Sequence, residues 1–247
     1  MSIFQSLLDR LDSQAANHLV LIDPDRKNDG RLADLVAGVN DSGADAILVG
    51  GSLIMDGGFQ ERLEAIKGAA RVPVILFPGS ATQLSAHADA VLFMSLLSGR
   101  NPQYLIGEQV QAAPVLKHLG LEVIPTGYLL MAGGQRTTVE IMSNSQPLPL
   151  DKPDLAQAHA LAAQYLGMAL VYLEAGSGAQ RTVPAEVIRG VAGEVEIPIA
   201  VGGGIRTPDE AAEKVRAGAR FVVTSSVFEQ EGGSDIMPAF AAAVHAG

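Results

Sequence analysis

Two acidic positions and three small-residue runs carry the chemistry in this chain. Asp23 and Asp25 flank Pro24 at the end of an apolar run, His18–Asp23. Mg²⁺ is typically held by one or two carboxylates, with waters and substrate phosphate oxygens completing its octahedron. Asp23, with Ser52 after the next apolar run, supplies such oxygens, although Asp-Pro-Asp is also an ordinary turn and helix cap. We assign the metal to Asp23, to which Ser52 could add an oxygen, and leave Asp25 as a cap or a group supporting the ligand. Glu174 is the one carboxylate in Tyr172-Leu173-Glu174. Residues two apart on a strand share a face, so Tyr172 and Glu174 point together and Leu173 points away. A buried carboxylate needs a partner or a task. The task is general base toward a substrate hydroxyl; the alternative is a core ion pair with Arg206. The segments Tyr172–Gly178, Val201–Ile205 and Phe221–Ser226 each end an apolar run in Gly or small hydroxyl residues. Together they offer backbone N–H groups as a phosphate cradle.

These groups need a scaffold that brings distant strand ends together. Apolar, β-branched runs recur at His18–Asp23, Ala46–Gly51, Val72–Pro78, Ala90–Ser95, Glu122–Leu130, Leu170–Gly176, Pro198–Gly204 and Phe221–Ser226. Helical-period segments separate most of them: Gly30–Gly43, Phe59–Ala70, Gln103–Leu119, Asp154–Leu166, Pro184–Ala192 and Pro208–Ala217. Alternating strands and helices imply a parallel sheet, and eight units imply closure into a (β/α)8 TIM barrel, with active-site residues at the C-terminal strand ends. Residues 3–13 read as an extra leading helix. The interval Gly79–Asp89 is too short for an ordinary crossover helix, so the third helix is expected to be irregular or missing. The Gly-, Ser-, Asn- and Pro-rich stretch 131–153 reads as a mobile loop on the active face. Thr207, Pro208 and Glu210 form a capped helix start behind Gly202-Gly203-Gly204. Residues 1–247 read as a single barrel domain.

Composition excludes several classes. A formal charge of −10 without a basic cluster excludes a nucleic-acid backbone binder. It also disfavours more than peripheral contact with anionic lipid. There is no cysteine, hence no disulfide, thiolate site or Cys nucleophile, which fits a cytoplasmic location. Asp9, Arg10 and Asp12 make the first residues unlike a secretory signal, and no apolar run approaches the ~20 residues of a membrane span. The histidines lack metal-binding spacing, and no Lys ends a strand run, which argues against a Schiff-base aldolase.

The motifs, taken together, resemble the geranylgeranylglyceryl phosphate synthase family, in its second group. The resemblance rests on Leu21-Ile22-Asp23-Pro24-Asp25, Gly50-Gly51-Ser52, Phe77-Pro78-Gly79-Ser80, the run Ser95 to Pro102, Pro125-Thr126-Gly127-Tyr128, Tyr172 to Gly178, and the runs at Gly202–Ile205 and Val222–Ser225. It implies transfer of a prenyl group from geranylgeranyl diphosphate to the C3 hydroxyl of sn-glycerol 1-phosphate, with release of diphosphate, the first ether-bond step of archaeal-type lipids. Asp23 and Ser52 match the family's Mg²⁺ positions. Tyr172, Leu173, Glu174, Ala175, Gly176, Ser177 and Gly178 match its glycerol phosphate segment, with Tyr172 and Glu174 as catalytic residues. Gly203, Gly204, Thr224 and Ser225 match its remaining phosphate contacts. The family usually has Gly where this chain has Thr224. The resemblance also implies a homo-oligomer, dimeric or hexameric. Tyr104, Tyr128, Leu129, Met131, Leu96 and Leu97 are candidate walls for the prenyl tail.

Two other readings stay open at this level. One is a phosphate-barrel isomerase or lyase, which needs a second acid/base group on strand one or five and works without Mg²⁺. The other is a non-catalytic barrel that binds a phosphorylated ligand without turnover.

Overall fold

Short β-branched runs bounded by Gly, Pro and Asp become strands, and the Ala- and Leu-rich segments between them become helices. The computed structural model describes residues 2–229 and 233–247. Its strands are β1 (Asn17–Ile22), β2 (Ala46–Val49), β3 (Val74–Leu76), β4 (Ala90–Leu96), β5 (Glu122–Leu130), β6 (Leu170–Glu174), β7 (Ile199–Gly202) and β8 (Phe221–Thr224). All pair in parallel, and β8 pairs with β1 through Val20 opposite Thr224, closing the barrel. Several strands stop short of the apolar runs that announced them. Asp23, Gly50, Phe77 and Gly176 lie just beyond the strand ends, where the site is built.

Alternation divides the core in two. Leu19, Leu48, Ile75, Leu92, Tyr172 and Val223 fill the barrel interior. Val20, Ile47, Leu76, Val91, Leu173 and Val222 face the surrounding helices. The helices are α1 (Ile3–Arg10), α2 (Leu32–Ser42), α3 (Phe59–Ala69), α4 (Glu108–Leu119), α5 (Thr138–Ser143), α6 (Pro153–Tyr165), α7 (Ala185–Ala192), α8 (Pro208–Arg216) and α9 (Met237–Ala246). The leading helix α1 closes the bottom of the barrel. Leu7 is buried with the interior residues, Phe4 stacks on Phe221 with ring centroids 6.0 Å apart, and Glu122 accepts the Phe4 amide at 2.9 Å. Asp45, buried at the same end, accepts from the His18 amide at 2.8 Å and pairs with Arg10 and His245, each at 2.9 Å. One carboxylate thereby ties α1, β1 and α9 together.

No helix connects β3 to β4, as the short interval required. Gln83 stands in that connection and joins the second and third strand ends. Its Oε1 accepts from the Gly51 and Gly79 amides at 3.3 and 3.1 Å, and its Nε2 donates to Gly51 O at 2.8 Å. The stretch 131–153, expected as a loop, instead contains α5. The Thr137–Glu140 capping box starts this helix, and a Met131–Leu148 bridge ties its base to the sheet. α9 gave no periodic signal. It is so uniformly apolar that it lacks the polar face sequence periodicity detects, and Met237, Phe240, Ala241 and Val244 are buried. No described helix is long and apolar enough to cross a membrane.

Candidate active site

The C-terminal strand ends open into a cavity of about 530 Å³. Most of the expected residues line it: Asp23, Ser52, Tyr172, Glu174, Gly176, Ser177, Gly178, Gly203, Gly204, Thr224 and Ser225. Leu173 and Ala175 do not. Strand alternation turns both into the outer layer, where each is fully buried, and the Ala175 amide donates to Gly202 O at 3.1 Å.

Glu174 is buried at the end of β6, and the alternative ion pair with Arg206 is not made. Arg206 donates to Gly204 O at 3.1 Å and to Ala179 O at 2.5 Å, outside the cavity. The Glu174 carboxylate instead accepts the Gly176 amide on Oε1 at 2.6 Å. Burial pushes its pKa above the ordinary carboxylate value, while the neighbouring Tyr172 phenol and the Gly176 amide act in the opposite direction. Tyr172 lies beside it with its hydroxyl buried and without a well-formed hydrogen bond. Its attraction to Glu174 is therefore one of proximity rather than of a made bond. Burial first, and the Glu174 charge second, hold the Tyr172 and Tyr128 phenols well above their usual pKa, so both stay neutral. With Phe77 they form an aromatic floor, the ring centroids 5.3 to 6.1 Å apart.

Gly203 shows why the cradle needs bare backbone. Its φ is +87°, and a Cβ there would meet the Gly176 amide nitrogen at 2.6 Å. The loops after β6 and β7 touch through that missing side chain. The glycines of both loops line the cavity and so present backbone to it. The helix beyond starts as its sequence requires, with the Thr207–Glu210 capping box formed and Pro208 in the first turn.

Thr224 departs from expectation in an instructive way. Its Oγ1 lies 2.8 Å from His18 Nε2, so the hydroxyl is turned toward β1 and the outer layer. His18 packs against Phe228 and Phe240, and burial lowers its pKa to about 4, leaving a neutral ring. This contact braces the end of β8 against β1.

The opposite side of the cavity carries Asp23. Its Oδ2 lies 2.9 Å from Lys27 Nζ, and its backbone carbonyl accepts from Asn28 at 2.9 Å. Its Oδ1 is buried without a hydrogen-bond partner, against Gly51. That orphaned oxygen, with Ser52 lining the same cavity, fits a divalent cation. Among the described residues no three His, Cys, Asp or Glu side chains gather as a metal cage. The arrangement therefore fits a Mg²⁺ that draws most of its ligands from phosphate and water. Asp25 takes the capping role, accepting the Lys27 amide at 3.0 Å at the start of a short 3₁₀ turn. Lys27, which the sequence places just past the first strand with at most a phosphate contact, lines the cavity, and so does Glu229, past the end of β8, which the sequence reading did not single out.

The apolar half of the cavity follows from the missing helix. Phe77, Leu92, Met94, Leu96, Tyr104 and Tyr128 lead from the floor, and Leu84, Val91, Phe93, Ala112 and Leu116 continue along the outer face of β4 against α4. Of the expected tail walls, Leu129 and Met131 are instead fully buried in the outer layer, and Leu97 packs there too. β5 alternation sends Tyr128 inward and Leu129 outward.

A closed eight-stranded parallel barrel with a glycine cradle after β6 and β7 and a buried acid beside it defines a phosphate-handling (β/α)8 enzyme. Comparison with known proteins narrows this. The chain belongs to the PcrB family, whose model matches residues 11–244. It is 43% identical over 244 residues to a geranylgeranylglyceryl phosphate synthase of Chitinophaga pinensis, covering 99% of this chain and 96% of that protein. It is 46% identical to one of Pyrococcus abyssi, covering 90% and 87%. Among solved structures it resembles wild-type GGGPS from Thermoplasma volcanium (TM-score 0.92, 36% identity, 99% and 98% covered). It also resembles the Thermoplasma acidophilum enzyme in complex with its substrate sn-glycerol 1-phosphate (TM-score 0.93, 37% identity, 99% of each chain covered). A thiamine phosphate pyrophosphorylase from Pyrococcus furiosus, at 16% identity and a TM-score of 0.61, shares the fold alone.

Proposed function

We propose that this chain transfers a geranylgeranyl group from its diphosphate to the C3 hydroxyl of sn-glycerol 1-phosphate. The observation that carries the reading is the buried Glu174, without a cationic partner among the described residues, between a phosphate cradle and an apolar cavity. The family and the glycerol phosphate complex of the Thermoplasma acidophilum relative support it.

In this reading the loops after β6, β7 and β8 hold the acceptor's phosphate through backbone N–H groups, leaving its C3 hydroxyl beside Glu174. The bond from the C3 oxygen to C1 of the prenyl chain forms as the bond from C1 to the diphosphate oxygen breaks. The hydroxyl proton goes to Glu174, whose raised pKa suits a base. Asp23 and Ser52 would hold Mg²⁺, which when bound neutralises charge on the diphosphate. Tyr172 packs the floor beneath the reacting atoms and stays neutral. The tail lies in the channel toward Ala112 and Leu116, where each buried CH₂ is worth about 0.8 kcal/mol. We place the protein in the cytoplasm, as the lack of cysteine supports. We read it as a homo-oligomer; Ile106 and Val110, exposed a turn apart, support a further contact.

Incubation with labelled sn-glycerol 1-phosphate, Mg²⁺ and prenyl diphosphates of several lengths, then organic extraction, tests the function. Label entering the organic phase only with a prenyl diphosphate present is the expected result. An isomerase or lyase, or a barrel that only binds, leaves all label in water.

A further inference from the structure

The cavity has to accept two polyanions, yet its lining is acidic. Among the described residues, Asp23, Asp25, Glu108, Glu174 and Glu229 line it, against a single cationic side chain, Lys27. Lys27 Nζ sits 2.9 Å from Asp23 Oδ2 and 3.9 Å from Glu229 Oε2, so its charge is spent on the wall. The ammonium covers one oxygen of the carboxylate assigned to the metal, and the other oxygen has no partner.

This pair is easily exchanged. Lys27 is 56% exposed, on a short turn outside the barrel, and an ion pair so placed contributes little to stability. A four-carbon stem lets its head swing without moving the backbone. A divalent cation on Asp23 would also remove the reason for the ammonium to stay, since two cations do not share one small carboxylate without repulsion.

We propose that Lys27 is a further donor-site residue: it holds Asp23 in the empty enzyme and moves onto the diphosphate of the prenyl donor when a divalent cation takes that carboxylate. This rests on the cavity being a prenyl diphosphate site. Lys27 then offsets the repulsion that the surrounding carboxylates exert on an incoming diphosphate. The acceptor, held by backbone on the β6–β7 side, has no contact with it.

Titration calorimetry of the whole chain with inorganic diphosphate and Mg²⁺ tests the assignment, with sn-glycerol 1-phosphate as the second ligand. Lys27→Met should weaken diphosphate binding roughly 10–100-fold, the worth of one charge-assisted hydrogen bond. Glycerol phosphate affinity should stay within about twofold, and Lys27→Arg should recover most of the diphosphate affinity. Equal diphosphate affinity in Lys27→Met and wild type overturns the proposal. An equal loss for both ligands also overturns it, because Lys27 would then act as a general attractor. Prenyl transfer by the wild type with an unweakened Lys27→Met overturns the Lys27 contact alone; a wild type without transfer overturns the reading beneath it as well.

Discussion

Glu174 Oε1 accepts the backbone N–H of Gly176 at 2.6 Å, so the acid at the end of β6 is fastened to the loop that follows it. The bond fixes where the carboxylate points while leaving Oε2 free of that loop. Burial raises the Glu174 pKa, so the proton it must shed before acting as a base leaves at a higher pH than from an exposed glutamate. Below that pKa the carboxyl is protonated and idle; above it the base is ready. The kcat/KM of wild type should therefore rise with pH along a limb lying above the ordinary glutamate value. A pH–rate profile flat across the acid range contradicts the assignment.

Asp23→Asn keeps the shape of the side chain and removes its charge. It should abolish Mg²⁺-dependent use of the prenyl diphosphate, a loss of about 10²-fold or more in kcat/KM, with glycerol phosphate affinity unchanged. Chelation of Mg²⁺ should bring the wild type down to the level of the variant. Full activity in Asp23→Asn, measured by the extraction assay, refutes the metal role.

Ala112 lines the far part of the apolar channel with Leu116 on α4. Ala112→Phe should fill that space and shift preference toward shorter prenyl diphosphates, each lost CH₂ contact worth about 0.8 kcal/mol, or roughly fourfold in affinity. Competition between donors of different length reads the shift. An unchanged preference means the tail lies elsewhere.

His18 supplies a stability test away from the chemistry. Its pKa is lowered from 6.5 to about 4 by burial, so the unfolded chain binds a proton more readily than the folded one. The stability from this group is present above pH 6.5 and is lost as pH falls toward 4. Between pH 7 and pH 4.5 that loss is on the order of 2 kcal/mol. Denaturant unfolding at the two pH values should show His18→Leu losing less stability on acidification than wild type by about that amount. Parallel losses in the two proteins contradict the buried neutral ring.

The barrel was legible because parallel strands buried on both faces leave apolar runs that turn residues interrupt, and the missing third helix was legible from the shortness of Gly79–Asp89 alone. Glu174 stood out as an acid between a buried strand and Gly-Ser-Gly. What escaped depended on side chains reaching across chain distance. The His18–Thr224 contact joins residues on the first and last strands, and nothing local marks it. Gln83 is an ordinary polar residue in an irregular stretch until it clamps Gly51 and Gly79. Leu173 and Ala175 belong to the motif by position; alternation turns both out of the cavity, as the sequence had already implied for Leu173.

The most direct test of the central claim compares wild type and Glu174→Gln in prenyl transfer and in sn-glycerol 1-phosphate binding. The amide keeps an oxygen for the Gly176 amide and cannot take the proton. Transfer should fall by about 10²–10⁴-fold while glycerol phosphate binding persists. Because the buried acid carries a raised pKa, its ionised form costs stability at neutral pH, so the variant should also unfold at a higher temperature. Unchanged transfer by Glu174→Gln would contradict the account.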